Sequence, residues 1–245
     1  MLRTTRAFIF IGVLIASANV FAQSTVYNID QRTGWKGCDV CSGPGGAGTT
    51  TTYAITQAIS SPAMDGSAAK FTLTPSASYQ TALWWNEVGG HDTATHLVYD
   101  LYFYMTNPTA AQALEFDVNQ TRVADATKYI FGTECDIRGT HTWRYYDNVG
   151  KKWVSTGVTC STPIGYQWNH LTIEFQRVAA TSTTPAKLKW VAVTLNGLKS
   201  YLNGTSVSRP GTGSYSHLNA AFQMDANRAA TAYSVWLDKV KLTYW

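Results

Sequence analysis

Charge is the first thing this chain has little of. Only 14% of its 245 residues are Asp, Glu, Lys or Arg, and the formal net charge is +4. Lys and Arg gather into no basic stripe, which argues against a nucleic-acid partner. Long apolar runs are missing beyond the N-terminus, so no membrane span is expected after it. Helical periodicity is missing there too. No segment repeats at a fixed period, which disfavours a propeller. His-Glu-x-x-His and Gly-x-Ser-x-Gly are absent, and with them a zinc-protease helix and a serine-hydrolase elbow. The glycine-rich "SGPGGAG" lacks the Lys and the helix of a phosphate loop. The five His residues are scattered, and no metal signature includes them.

What is present starts with an export signal. "MLRTTR" is a basic lead, "AFIFIGVLIASA" an apolar run of about a dozen residues, and "NVFAQ" offers small residues at Val20 and Ala22. Residues 1–22 therefore read as a signal peptide, and 23–245 as one secreted, periplasmic or extracellular domain. Losing Arg3 and Arg6 lowers the formal charge to +2. Four cysteines in an exported chain are expected to pair. The favoured pairs are Cys38–Cys41, closing a tiny loop, and Cys135–Cys160, tying neighbouring strands. A redox role for "CDVC" is disfavoured, because no βαβ context surrounds it.

Short alternating runs separated by Gly, Pro, Asn and Ser clusters fill the rest. They include "KFTLTP", "TALWWNEV", "THLVYDLYFYM", "ALEFDVNQ", "WNHLTIEFQRV", "LKWVAVTLNG", "HLNAAFQMD" and "SVWLDKVKLTYW". Ten or more strands without helices predict an antiparallel β-sandwich or barrel. Asn196-Gly197 predicts a tight hairpin. The strand-like C-terminus predicts a strand inside a sheet. Several strands carry one oily face and one face of acids, amides and aromatic hydroxyls. Aromatic residues make up 13% of the chain. They suit either a packed β core or stacking on sugar rings.

"ALEFDVNQ" puts Glu115, Asp117 and Asn119 on one strand face, against Leu114, Phe116 and Val118. This strand, the signal peptide and the all-β pattern resemble the concanavalin A-like lectin/glucanase superfamily of jelly-roll sandwiches. The resemblance implies a curved sheet that holds polysaccharide or oligosaccharide. Its laminarinase-like family 16 glycoside hydrolases carry Glu-x-Asp-x-Glu on the catalytic strand. Matched residue by residue, Glu115 stands at the nucleophile and Asp117 beside it. The acid/base position falls on Asn119, or on Gln120 with a bulge, and an amide donates no catalytic proton. Glu134, Asp225, Glu174 and Asp100 are the spare carboxylates, with Glu134 and Asp225 foremost. Legume-type lectins carry a similar Glu-x-Asp opening. That branch implies a structural calcium through Asp117, Asn119 and Asp125, and otherwise no cofactor or metal is expected.

Three functions stay open on this reading. The first is a monomeric carbohydrate-binding sandwich, with Asn119 and Gln223 hydrogen-bonding sugar and Trp84 or Trp85, Tyr102 and Trp143 stacking on it. The second is a retaining endo-glycosidase built on Glu115. The third is a structural or adhesion domain whose aromatics are all core.

Overall fold

The computed structural model describes residues 22–39, 51–211 and 214–245. The expected signal peptide lies outside them but for Ala22, and so does Cys41. The described residues hold β1 (Ser24–Val26), β2 (Lys36–Cys38), β3 (Thr52–Ile59), β4 (Ala68–Thr74), β5 (Thr81–Gly89), β6 (His96–Met105), β7 (Ala111–Arg122), β8 (Thr127–Phe131) and β9 (Thr133–Asp136). They continue with β10 (Thr142–Asp147), β11 (Lys152–Thr159), β12 (Trp168–Val178), β13 (Lys187–Leu195), β14 (Leu198–Val207), β15 (Arg209–Pro210), β16 (His217–Ala226) and β17 (Tyr233–Tyr244). Two single-turn 3-10 segments, Ile29–Gln31 and Pro108–Ala110, complete the elements. No helix among the described residues is long and apolar enough to cross a membrane.

The strands form two antiparallel sheets. The first runs β14-β13-β12-β6-β17-β4-β3, with β1 beside β17. The second runs β11-β10-β9-β7-β16-β5-β2, with β8 paired to both β7 and β15. The alternation read from the sequence decides which side of each strand is buried. Leu97, Tyr99, Leu101 and Phe103 of β6 face inward, as do Leu114, Phe116 and Val118 of β7. Rings then meet across the interface: Phe71 lies 5.3 Å from Trp84, Phe103 5.5 Å from Phe116, and Phe131 5.1 Å from Phe175. Each pair joins one sheet to the other, so the molecule is the expected β-sandwich.

The C-terminal strand β17 sits inside the first sheet, between β6 and β4. The Asn196-Gly197 turn joins β13 to β14 with both residues at positive φ, 50° and 83°. That is the two-residue geometry that only such residues adopt cheaply. The sequence reading missed β1, β2, β3 and β15. These are short or edge strands, and β3 alternates only between exposed and half-buried positions.

Cys135 and Cys160 form a disulfide, with both residues buried. It links β9 to the end of β11, with β10 lying between them, rather than two adjacent strands. Among the described residues no cysteine is free. The bridge spans 25 positions of sequence. Loop-closure entropy for that length predicts that Cys135→Ala with Cys160→Ala costs about 3.5 kcal/mol, read as a lower denaturant midpoint at constant slope.

Candidate functional site

The outer face of the second sheet is built by strand parity. With Phe116 and Val118 in the core, Glu115, Asp117, Asn119 and Thr121 of β7 must point outward. Antiparallel register then sets their neighbours. Glu115 stands between Glu134 of β9 and Gln223 of β16. Asn119 stands between Ile130 of β8 and Asn219 of β16, and Thr121 between Lys128 and His217. Arg144 of β10 lies beyond Glu134, and Trp85 of β5 lies beyond Ala221.

One end of this face is a cluster of acids. Oxygens of Glu115, Glu134 and Asp225 all lie within 4.8 Å of one another. Gln223 donates from Nε2 to Glu115 and, at 2.9 Å, to Asp225. Arg144 is ion-paired with Glu134 and reaches Asp136 at 3.4 Å. Burial pushes the Glu115 carboxyl well above its ordinary pKa, and Asp225, Asp117 and Glu134 add to this. Glu134 rises for the same two reasons, burial and then Asp225, while Arg144 opposes the rise. Burial raises Asp117 to about 7 against the Thr133 amide, which donates to it at 2.9 Å. Asp225 also rises to about 7 through burial, opposed by Gln223. Asp136 is buried too, but the amide and hydroxyl of Thr140 and the nearby Arg144 hold it below its ordinary value. One guanidinium cannot neutralise so many carboxylates in so small a space. The cluster therefore keeps protons near neutral pH.

Next to the acids the face carries small residues between aromatic ones. Asp117 is flanked by Ala221 and lies close to Gly132, the residue between β8 and β9. A Cβ on Gly132 would come within 2.8 Å of Tyr146 Cβ, so only glycine lets that ring pack here. Half-buried rings stand on both sides: Trp85 on β5, and Tyr146 against Trp153 at 5.4 Å on β10 and β11. The span from Trp85 to Tyr146 is four strand spacings, about 19 Å. Asn119 donates to Asn219 Oδ1 at 3.1 Å, next along the same face.

The structure thus brings together Glu115, Asp117, Asn119, Glu134, Gln223 and Asp225 of the sequence-predicted set. It separates the others. Trp84 is 1% exposed and packs between Phe71 and Tyr53, so the ring facing outward is Trp85. Trp143 is 3% exposed and points into the core, because its parity on β10 is opposite to that of Arg144. Neither can offer a face to a sugar. Tyr102 lies on the outer face of the other sheet, stacked on His170 at 4.2 Å. Spare carboxylates Asp100 and Glu174 share that far face, where Asp100 accepts from His170 at 3.1 Å and Glu174 pairs with Lys199.

Neither position for a family-16 acid/base supplies one. Asn119 is held by Asn219, and Gln120 turns away to donate to the His91 carbonyl at 2.7 Å. The expected calcium set is not assembled either. Asp117 is engaged by Thr133, while Asp125 sits beyond the end of β7, ion-paired with Arg122. Among the described residues the carboxylates placed to share an ion are Glu115, Glu134 and Asp225. Arg144 and Gln223 already meet part of that donor set.

Arg144, Tyr146 and Trp153 were missed in the sequence. The usable signal was period-two parity along "HTWRYYD". Choosing Trp143 as the sugar-facing ring puts Arg144 and Tyr146 on the wrong side.

No family model matches this sequence, and no curated protein matches it. Solved structures do show similarity at low identity. A protein described as a carbohydrate-binding module of the β-sandwich superfamily is 10% identical with a TM-score of 0.44; the match covers 86% of this chain and 58% of that one. An alginate lyase from a Chlorella virus is 8% identical with a TM-score of 0.48, covering 80% and 90%. Peanut lectin is 10% identical with a TM-score of 0.43, covering 92% and 99%. Identity this low assigns no residue a role.

Proposed function

We propose that the chain is an exported carbohydrate-binding protein that holds a glycan along the outer face of its second sheet. One observation carries this reading: small residues beside Asp117, half-buried aromatic rings on either side of them, and amides next along the same face. A pyranose presents an apolar face to a ring and hydroxyls to amides and carboxyls, and this face supplies both. The Cys135–Cys160 bridge accords with an oxidising compartment.

Hydrolysis at Glu115 is the second reading. Its support is the Glu115–Glu134 pair on adjoining strands, with oxygens within 4.8 Å. Retaining enzymes place their carboxyls about 5–5.5 Å apart. Against it, Glu134 is 1% exposed and bound to Arg144, so it is poorly placed to exchange a proton with a leaving group.

The test is retention of the mature protein on insoluble glycans, beside a reducing-sugar assay. Trp85→Ala is expected to weaken binding about tenfold or more, because a central aromatic anchor is lost. Sugar release by the wild type and not by Glu115→Gln would establish the second reading instead. Retention on no glycan, with no sugar released, would refute both.

A further inference from the structure

At the end of this face away from the acids lies a cavity of about 640 Å³. Its lining includes Thr121, Lys128, Lys151, Arg209 and His217, and no carboxylate. Thr121 and His217 face each other one step beyond the Asn119–Asn219 pair, about 7 Å along the strands. The cavity therefore lies on the same sheet face as the Asn119–Asn219 pair, while Glu115 lies about 20 Å back along β7.

The charges here are arranged at a cost. Arg209 of β15 is registered directly opposite Lys128 of β8. Like charges in that position repel, and a sheet normally avoids them. Burial holds the Lys128 ammonium below its ordinary pKa, and Arg209 adds to this. Among the described residues none of Lys128, Lys151 and Arg209 forms an ion pair. His217 spends Nε2 on Thr121 Oγ1 at 3.1 Å, and its buried Nδ1 has no partner. Unopposed cations around a cavity are the complement of an oxyanion.

We propose that this cavity receives an oxyanion carried by the glycan, a uronate carboxylate or a sulfate ester, so that the protein selects acidic polysaccharide. The proposal rests on the glycan-binding reading and adds its substrate class. Arg209 supplies a planar fork suited to a carboxylate or sulfate, and Lys128 and Lys151 supply point charges. The acid cluster does not oppose such a ligand, because it keeps protons and lies at the other end of the face.

The experiment is calorimetric titration of the mature protein with hexamers of a polyuronate, a sulfated galactan, a xylan and a β-glucan. It is run at low and high salt, with Lys128→Met/Arg209→Gln and Trp85→Ala alongside. At least one acidic hexamer is expected to bind tenfold or more tighter than either neutral one. That advantage should shrink in high salt, where exposed charges are screened. The Lys128→Met/Arg209→Gln variant should lose the advantage and keep the neutral affinity. It removes a repulsive pair, so it is expected to fold at least as well as the wild type. Trp85→Ala should weaken every hexamer alike. The two acidic arms separate carboxylate from sulfate. Equal binding of neutral and acidic hexamers, unchanged in the double variant, would overturn the proposal and leave glycan binding standing. Binding of none would overturn both.

Discussion

Between pH 5 and pH 8 the protein is expected to lose stability as pH rises, the reverse of what salt-bridged carboxylates produce. The groups responsible are buried acids whose pKa is raised in the folded state. Asp30, Asp117 and Asp225 each rise to about 7, all through burial first. Glu115 and Glu134 rise as well. Asp30 belongs to a different place. It accepts from the Val240 amide at 2.9 Å and pins the Ile29–Gln31 turn to β17. An acid with a raised folded pKa binds its proton more tightly in the native state than in the unfolded chain. Its favourable contribution is complete below the unfolded value, near 4, and disappears as pH climbs through the folded value. Stability then falls by about 1.4 kcal/mol per pH unit for each extra proton held. The clustered acids share their protons, so the count belongs to the group. One proton at Asp30 and at least one in the cluster give a slope of about 2–3 kcal/mol per pH unit between 5 and 7. Asp136, with its lowered pKa, works the other way, but only as pH falls below its ordinary value. Urea denaturation at half-unit pH steps reads the slope. Stability rising from pH 5 to 8 would mean that these acids are ionised and neutralised by a partner outside the chain.

Much of this architecture was written in period-two alternation. Leu114, Phe116 and Val118 against Glu115, Asp117 and Asn119 fixed both faces of β7, and Asn196-Gly197 fixed a hairpin. The acids were legible too, since Glu134 and Asp225 stand out as carboxylates within strand-like runs. Which of them meet was not legible. That depends on β9 and β16 both flanking β7, a sheet order set by tertiary packing rather than local propensity. The rings were misread for a related reason. Trp84 and Trp85 are equally apolar, and only the neighbours Phe71 and Ala221 decide which enters the core. The basic cavity left no local trace at all. Lys128, Arg209 and His217 come from distant segments, and a two-residue strand carries Arg209 into place.

Arg144→Met is expected to be among the most damaging single substitutions on the outer face, and its cost should depend on pH. Among the described residues Arg144 is the one cation ion-paired with Glu134 and Asp136, and those two acids are almost fully buried. Removing one partner from a buried pair leaves the other charge unmatched, at about 3–5 kcal/mol. Methionine keeps most of the apolar stem, so the loss reports charge and hydrogen bonding more than packing. At pH 7.5 the full cost is expected in the denaturation midpoint. At pH 5 Glu134 can take a proton instead, and the loss should be smaller. Arg144→Lys keeps a charge but not the fork, and it should fall between wild type and Met. An equal loss at both pH values would place the role of Arg144 in its stem rather than its charge. The functional consequence follows from position. Arg144 holds Glu134, Glu134 packs against Glu115, and Gln223 ties Glu115 to Asp225. Cutting the first of these links frees the acids to repel one another, and the strands that carry them, β7 and β16, also carry Asn119 and Asn219 of the face proposed to hold the glycan.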